Sequence, residues 1–410
     1  MLYDALIVYF TLGYDRTEMK AQRGYLVNEF HYTGYAQEII FRTGSVARLG
    51  EAVERFSWRR LMLCSTGSLR RDGTIASLEK ALGERLVAVY EHVQQHVPDF
   101  QVAEAVTLAL ECKVDAIIGL GGGSPIGMAK AVSFALEEKH TGDGSRATYP
   151  TGQPLVPVIA IPTTYAGSEM TPIYGITHYS NDTARKITVT DVKLTPKLVI
   201  YDPLLTLKLP PSMTAATGIN ALAHCIEALY SITRNPLSTA AATAGVRAIA
   251  HALPRCYAAG DDVEARSEML QGAFLAGSAL SNVAMGLHHG LCQVLGGTAG
   301  VPHGIANAII LPHAMRFNLE ATASQLAPAA EAMGITLAGR SAENAVEEAI
   351  QAIYDMIGQM NLPQHLRDVG IQEVDLPRLA QIALQSQAVR NNPEPVTGAA
   401  QIESLLQAAW

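Results

Sequence analysis

The sequence predicts a fold of two parts, an α/β domain with a parallel sheet followed by an all-helical domain. The chain has 410 residues, which is more than one hydrophobic core usually holds. Short apolar runs alternate with segments of helical spacing from about 59 to 201, and this alternation is typical of βαβ units. After Pro210 and Pro211 the spacing is helical almost throughout, which indicates an all-α domain.

The elements of the first part follow one another in a regular order. Strands are predicted in the apolar runs 59–65, 86–93, 114–120 and 155–162, with two more inside 185–203. Helices are predicted where apolar residues recur at helical spacing, in 74–86, 100–113 and 124–138. Residues 1–29 are expected to form an extension or an extra strand, and the polar segment 140–154 is expected to form an exposed loop.

Charge and cysteine usage argue against several classes of protein. The 30 basic and 38 acidic residues give a net charge of -8, whereas a general nucleic-acid binder needs a basic face. No apolar run reaches the roughly 18 residues of a membrane span, so no membrane association is expected. The five cysteines are far apart and form no CxxC pair, which favours free thiols in the cytoplasm over disulfides or a thiolate zinc site.

A glycine-rich turn carries the first indication of chemistry. In "VDAIIGLGGGSPIGMAK" an apolar strand runs into Gly121, Gly122, Gly123 and Ser124, and a helix follows. Glycines let the backbone approach a phosphate closely, and a helix N-terminus presents free N–H groups with partial positive charge. A tight structural turn is the alternative interpretation, but this density of glycine favours a cradle for a dinucleotide phosphate.

A second polar loop, "IPTTYAGSEMTP", follows the next predicted strand. It places Thr163, Thr164 and Ser168 at the carboxyl end of the sheet, where open α/β sheets bind ligands, and we expect these residues to contact the cofactor. Tyr165 is expected to contact the substrate. The predicted domains are therefore an N-terminal extension over 1–29, a dinucleotide-binding α/β domain over 30–205 and a helical catalytic domain over 206–410.

Histidines and amides recur in the helical part. Asn220 and His224 are four residues apart, as are His289 and Gln293, so each pair shares one face of a predicted helix. His288 precedes the second pair, and His303 lies in a turn ahead of another helix. A lone histidine on an apolar face is usually packed, but several that converge indicate a metal site, a substrate site or both.

Five motifs together resemble the iron-containing (group III) alcohol dehydrogenases: "GGGSPIGMAK", "IPTTYAGSEMTP", "YDP", "GINALAHCIEALY" and "GLHHGLCQVLGGTAGVPHGIANAIILPH". Within that family the sequence is most similar to maleylacetate reductases, and the similarity covers about residues 30–410. The resemblance implies a dehydroquinate synthase-like fold of a Rossmann-like domain and a helical domain, with the active site in the cleft between them. It also implies a homodimer and hydride transfer between NAD(P) and a carbonyl, alcohol or unsaturated acid, as in the degradation of aromatic compounds.

The resemblance also assigns roles to residues. The glycine loop matches the pyrophosphate loop, Thr163 and Thr164 match a pair near the nicotinamide and adenosine, and Lys186 matches a lysine near the nicotinamide ribose. Metal-dependent members hold their ion with an aspartate and three histidines. The histidine positions are met by His224, His289 and His303, so a bound zinc or iron would take these three and Asn220 as ligands.

Departures from the family pattern argue against a metal. Asn220 replaces the aspartate ligand, Gly127 replaces an aspartate of the glycine motif, and Gln293 replaces a histidine. The first two changes resemble maleylacetate reductases, which are regarded as working without a metal. Gly290, where those reductases usually carry lysine, and the sequence "GIAN" after His303 instead resemble alcohol dehydrogenases.

The sequence therefore leads to a primary hypothesis and two alternatives. The primary hypothesis is a metal-independent, NAD(P)H-dependent reductase of maleylacetate, forming 3-oxoadipate, or of a related oxo-acid. His289 and His224 would hydrogen-bond the reacting oxygen, His303 and His288 would position or charge the site, and Asn220 and Gln293 would line the substrate pocket. The alternatives are a zinc- or iron-dependent alcohol dehydrogenase acting on a small alcohol, and a non-catalytic protein of this fold.

The loop after the first predicted strand bears on the choice of cofactor. Thr66 stands where NAD-preferring members often place an acidic residue, which would bind the ribose hydroxyl and repel a 2′-phosphate. Its absence, with Arg70 and Arg71 nearby, permits NADPH. The sequence therefore leaves both NADH and NADPH as expected cofactors, acting on a small carbonyl or carboxylate substrate.

Overall fold

The structure is a computed structural model that describes residues 30–141, 155–180 and 183–410. The predicted extension over 1–29 and residues 142–154 of the predicted loop lie outside the described residues. The predicted fold class is confirmed, because a parallel sheet with flanking helices is followed by a helical half.

A six-stranded parallel sheet forms the centre of the first half, in the order β1-β8-β5-β4-β2-β3. The strands of this sheet are β1 (Glu38–Phe41), β2 (Leu61–Cys64), β3 (Leu86–Tyr90), β4 (Ala116–Gly121), β5 (Val158–Pro162) and β8 (Leu198–Tyr201). Four of them are the runs predicted ahead of residue 185, and β1 was not predicted. The remaining strands, β6 (Ile173–Ser180) and β7 (Thr183–Thr190), form a separate antiparallel hairpin.

Alternation of side chains along the central strands explains why helices cover both faces of the sheet. In β2, Leu61 and Leu63 belong to one hydrophobic core and Met62 and Cys64 belong to another. Every residue of β2, β4, β5 and β8 is buried, as is typical of parallel sheets that lie between two layers. The helices of this half are α1 (Leu49–Arg55), α2 (Gly67–Arg71), α3 (Thr74–Leu82), α4 (Asp99–Glu111) and α5 (Gly123–Thr141).

The helical half packs around one long, almost wholly buried helix, α6 (Pro211–Tyr230). From Gly218 to Tyr230 every residue of α6 is buried, because other helices of this half pack around it. The other helices are α7 (Pro236–Ala258), α8 (Val263–Leu280), α9 (Leu287–Ala299), α10 (His303–Phe317), α11 (Leu319–Ala332), α12 (Ala342–Gln359), α13 (Leu376–Leu384), α14 (Gln387–Arg390) and α15 (Ala399–Ala408). Among the described residues, no helix is long and apolar enough to cross a membrane.

The strand order creates a crevice at the carboxyl edge of the sheet. From β2 the chain moves to one side to form β3, and it then returns to the other side of β2 to form β4. The loops that follow β2 and β4 therefore diverge, and such a switch point is where open α/β sheets bind their ligands.

Candidate active site

The glycine loop lies at this switch point, directly after β4. Gly121 has a φ of 138°, and a Cβ atom there would lie 2.8 Å from Cγ of Pro125. At Gly119 a Cβ atom would lie 2.7 Å from Cα of Ile126. Only glycine tolerates such crowding, so the loop turns sharply and α5 begins at Gly123 with its N–H groups directed toward the crevice edge.

The second polar loop, which follows β5, lies against the glycine loop. The Thr163 amide donates to the Gly121 carbonyl over 3.0 Å. A Cβ atom at Gly122 would lie 3.1 Å from Oγ1 of Thr164. The structure therefore brings the predicted residues Gly121, Gly122, Thr163 and Thr164 together as two walls of one cleft.

The loop after β2 gives a third edge to this cleft. Thr66 hydrogen-bonds the Ser68 hydroxyl over 2.8 Å. Arg70 is held by ion pairs to Glu79 and Glu91, at 2.7 Å and 2.5 Å. Arg71 is exposed, and its Nη1 would lie 3.4 Å from a Cβ atom at Gly67. Arg70 is therefore engaged by two carboxylates, whereas the exposed Arg71 side chain reaches back toward the start of α2.

Lys186, predicted to lie near the nicotinamide ribose, is part of β7 and pairs with Thr177 of β6. Its side chain lies outside the described residues.

A buried lysine that sequence reasoning missed fastens the second loop to α5. Lys130 donates to the carbonyl oxygens of Ser168 (2.6 Å), Thr171 (2.7 Å) and Ile173 (2.9 Å). Burial lowers the pKa of Lys130 to about 7, although the Glu169 carboxyl acts in the opposite direction. The helix that presents the glycine loop thus also fixes the predicted cofactor residue Ser168.

The same loop reaches across to the helical half. Gly167 has a φ of 78°, and a Cβ atom there would lie 3.6 Å from Nδ1 of His224 and 3.3 Å from Cα of Gly277. A Cβ atom on Gly277 would in turn lie 2.8 Å from Cγ of Met170. Small residues on both sides therefore let the first half of the chain, which carries the sheet and is called the nucleotide half below, approach the histidines closely.

Three helices of the second half bring the predicted histidines together. His224 of α6 stacks on His289 of α9, with ring centroids 4.8 Å apart and planes inclined by 20°. His303, at the start of α10, lies 6.0 Å from the His289 ring. Gly304 permits this approach, since a Cβ atom there would lie 2.9 Å from the Ala216 carbonyl oxygen of α6.

A buried carboxylate stands behind His289, and sequence reasoning missed it. Glu227 of α6 accepts the Nδ1 proton of His289 and the backbone amides of Gly286 (3.0 Å) and His289 (3.2 Å). These amides lie at the N-terminus of α9, where partial positive charge favours an anion. A glutamate within the apolar stretch "HCIEALY", three residues after His224, was the available signal.

His288 completes a cluster that consists of His224, Glu227, His288, His289 and His303. It is fully buried, its Nε2 donates to the Asn307 carbonyl over 3.2 Å, and its Nδ1 lies 3.5 Å from Oε2 of Glu227. Burial lowers the pKa of His288, but the neighbouring Cys292 sulfur and the Glu227 carboxylate outweigh it and raise that pKa to about 10. His288 thus lies against Glu227, next to His289.

The two stacked histidines have the opposite character. Burial lowers the pKa of His224 well below its usual value, and the neighbouring histidines lower it further. Burial also lowers the pKa of His289, against the effect of Glu227. For Glu227 the effect of burial is outweighed by His289 and His288, so its pKa lies well below the usual range. Burial therefore opposes charge on the two stacked rings, whereas the donors around Glu227 favour its ionised form.

Three polar atoms of this cluster are buried without a hydrogen-bond partner among the described residues: Asn220 Oδ1, His224 Nδ1 and His289 Nε2. Buried polar atoms are rarely left unpaired in folded proteins, so these atoms indicate where a ligand binds. Two imidazole nitrogens and a neutral amide oxygen fit iron poorly, because hard cations prefer carboxylate oxygen. The nearby carboxylate, Glu227, is instead engaged by His289 and the α9 amides.

The remaining residues that were singled out in the sequence are placed differently from the histidines. Gln293 is exposed on α9. Tyr165 is fully buried, and its hydroxyl accepts from the buried Arg266 over 3.0 Å, so it is bonded within the core rather than to the histidines. Gly290 packs against α14, where a Cβ atom would lie 2.8 Å from Cγ2 of Val389. That contact explains why a lysine is not accommodated at position 290.

Comparison with known proteins supports the resemblance noted from the motifs. Residues 36–203 match the family described as iron-containing alcohol dehydrogenase. Residues 214–410 match the Fe-containing alcohol dehydrogenase family, C-terminal. Together these two matches cover nearly all of the described chain.

Individual relatives fall into two groups. Maleylacetate reductase 1 of Cupriavidus pinatubonensis is 35% identical over 372 residues, covering 91% of this chain and 94% of the relative. The crystal structure of maleylacetate reductase from Agrobacterium tumefaciens superposes with a TM-score of 0.79 at 33% identity, covering 94% of this chain and 99% of that one. The 1,3-propanediol dehydrogenase of Klebsiella pneumoniae is 34% identical over 360 residues, covering 86% of this chain and 92% of the relative.

Proposed function

This chain belongs to the iron-containing alcohol dehydrogenase family, and from that premise we propose that it is a metal-independent reductase of maleylacetate. As a member of the family it is an NAD(P)-dependent oxidoreductase. Maleylacetate is the substrate named for several of its relatives at about 35% identity.

One observation of the site carries the metal-independent part of the proposal. The unpartnered atoms of Asn220, His224 and His289 include no carboxylate oxygen. A neutral set of this kind suits an organic oxygen that exchanges hydrogen bonds with histidine. Because an iron ion would lack an anionic ligand here, hydrogen bonding by histidine is the better account of the site.

The reaction consumes one hydride from the cofactor and one proton from the protein. A hydride from the reduced nicotinamide adds to the carbon–carbon double bond, at the carbon remote from the keto group. The electron pair of that bond moves to the keto oxygen, which becomes an enolate. His289 or His224, carrying a proton on the nitrogen that faces the ligand, would stabilise the developing charge and supply the proton. A proton then reaches the carbon next to the keto group, giving 3-oxoadipate and NAD(P)⁺.

The histidines of the site suit an acidic substrate. Maleylacetate carries two carboxylates, which protonated histidines would attract. His303 is exposed at the start of α10, where its ring faces a ligand that approaches His289. We propose that His303 and Gln293 line the entry and that Asn220 contacts the substrate.

For the cofactor we propose that both NADH and NADPH are used. The position of Thr66, without an acidic side chain, places no charge against a 2′-phosphate. Arg71 is exposed beside this loop, while Arg70 is held by two carboxylates.

A second candidate function is a metal-dependent alcohol dehydrogenase acting on a small diol or alcohol. One contact favours it, since histidines that bind metals usually donate their other ring nitrogen to a carboxylate, as His289 does to Glu227. Three histidines with an open fourth position also suffice for zinc. The identity with 1,3-propanediol dehydrogenase is consistent with this candidate.

One experiment separates the two candidates. The purified protein is assayed for NADH and NADPH oxidation with maleylacetate and for NAD⁺ reduction with 1,3-propanediol, before and after chelation, with bound metal measured on the same sample. We expect maleylacetate turnover that survives chelation, with metal well below one equivalent. Turnover of the diol that is lost on chelation and restored by zinc or iron would instead establish the second candidate.

We further propose that the protein is a cytoplasmic homodimer. Five cysteines without a CxxC pair suit a reducing compartment, and homodimers are the commonest soluble assemblies. Sedimentation of the purified protein tests the dimer.

A further inference from the structure

Resting on the proposed reductase function, we propose that Glu227 is the positioning residue that prepares His289 for proton transfer. It fixes which ring nitrogen of His289 faces the substrate, and it holds that ring in place through a charge-assisted hydrogen bond. Glu227 therefore acts on the reaction through His289 and does not itself touch the substrate.

The hydrogen bonds of Glu227 carry the first step of the argument. The carboxylate oxygens accept three donors, the amides of Gly286 and His289 and the Nδ1–H of His289. An ionised carboxylate can only accept, so His289 must carry its proton on Nδ1. Its Nε2 is then the nitrogen that exchanges a proton with a ligand.

Burial of both side chains holds the His289 ring in one orientation against Glu227. Glu227 is fully buried, and His289 is 5% exposed. Two of the three donors are backbone amides at the N-terminus of α9, so the carboxylate holds the helix and the ring with the same group. His289 cannot rotate its ring without breaking a charge-assisted hydrogen bond inside the core.

The free nitrogen points to the ligand position. His289 Nε2 has no hydrogen-bond partner within the described part of the chain, and neither has Nδ1 of the stacked His224. The ring centroids of the two histidines are 4.8 Å apart. Glu227 thus aims the open nitrogen of His289 into the same space as that of His224.

His288 is the other ring that faces Glu227. Its Nδ1 lies 3.5 Å from Oε2 of Glu227 and 3.1 Å from Nδ1 of His289, and its Nε2 donates to the Asn307 carbonyl of α10. The two rings therefore turn a nitrogen toward the same carboxylate. Removing the charge of Glu227 would weaken the hydrogen bond that holds the His289 ring in this orientation.

Substitution of Glu227 by glutamine separates charge from shape. Glu227→Gln keeps an acceptor for His289 and fills the same volume, but it removes the negative charge. We expect kcat to fall about 100-fold, with KM for maleylacetate changed less than about threefold, because the loss falls on the transition state. In a His289→Ala background the same substitution should cost almost nothing further, since Glu227 acts through that ring.

The matched control is Glu137→Gln. Glu137 is also a buried glutamate in an ion pair, with Lys193, but it lies on α5. The Glu137→Gln substitution should lower thermal stability while leaving kcat within about twofold of wild type. A kcat of Glu227→Gln within threefold of wild type would overturn the proposal, as would losses from Glu227→Gln and His289→Ala that multiply.

A second readout does not depend on activity. In protein labelled with ¹⁵N at histidine, with His289→Ala used for assignment, we expect the neutral His289 ring of the wild type to be protonated on Nδ1, the minor form of free histidine. Protonation on Nε2 would overturn the proposal even if Glu227→Gln did not fold. If the protein turned over no maleylacetate, the proposed function would fail, and this spectrum would still decide the role of Glu227.

Discussion

The nucleotide half and the helical half contribute to the cleft in different ways. The nucleotide half presents backbone, since its loop is built from Gly121, Gly122 and the free amides that begin α5. The helical half presents side chains, whose open atoms belong to Asn220, His224 and His289. A backbone cradle binds a group common to many ligands, whereas convergent side chains can supply chemistry specific to one reaction.

The difference extends to the buried ionisable side chains behind each surface. In the nucleotide half, Lys130 donates to three backbone carbonyls and holds a loop in place. In the helical half, Glu227 contacts a histidine whose other nitrogen is open. The lysine maintains the shape of a loop, and the glutamate orients a ring that faces the ligand position.

The largest expected effect comes from removing the open ring in the helical half. His289→Ala should lower kcat about 1,000-fold, because the developing oxyanion loses its hydrogen-bond partner and proton source. Cofactor affinity, measured by nicotinamide fluorescence titration, should hardly change, since the cradle is untouched. His251→Ala, an exposed histidine paired with Glu268 in the same half, is the control, and near-wild-type activity of His289→Ala would contradict the assignment.

A restored carboxylate should alter the binding chemistry of the same half. Asn220→Asp adds an anionic oxygen beside His224 and His289, so affinity for zinc should rise on the order of 100-fold. Calorimetric titration and metal analysis after dialysis measure the change. Asn235→Asp, which keeps a side-chain acceptor at the N-terminus of α7, controls for added charge. Equal zinc affinity in Asn220→Asp and wild type would show that the amide is not what disfavours a metal.

A smaller effect is expected from the backbone half, and on a different quantity. Gly121→Ala forces a side chain into a φ of 138° and against Pro125, which costs about 1–3 kcal/mol. The dissociation constant of the cofactor should therefore rise about 10- to 100-fold, with kcat at saturating cofactor nearly unchanged. Gly34→Ala, outside the loop, should change neither value. If kcat fell while cofactor binding stayed unchanged, the glycine loop would contribute to the chemical step, and the two halves would not have separate roles.

The smallest effect concerns stability away from the site. Burial, with Arg316 and His365 nearby, lowers the pKa of His313 to about 4. An unfolded histidine takes up its proton near pH 6.5, so the stability due to neutral His313 is present above that pH and is lost as the pH falls toward 4. His313→Gln should reduce the acid-induced loss by about 2 kcal/mol in urea unfolding at pH 7 and 4.5. If the substitution left the acid-induced loss of stability unchanged, His313 would not be a source of that loss.

Much of the fold could be predicted from local sequence patterns. The strands β2, β3, β4 and β5 and the long helices have apolar spacing that depends only on nearby residues. β7 lies in a run predicted to contain a strand, whereas its hairpin partner β6 and the edge strand β1 were not predicted. The partner of β1 is set by contacts distant in sequence. β1 pairs with β8, about 160 residues away.

A sharp turn and close backbone approach are local demands that only glycine meets, so the glycine loop could be identified from its own residues. Helix geometry likewise fixes the spacing that places Asn220 and His224 on one face. Long-range packing, in contrast, places Glu227 behind His289, bonds Tyr165 to Arg266 and leaves no room for a lysine at Gly290. Those contacts join separate elements of the fold, and their partners depend on how these elements pack rather than on the residues beside them in the chain.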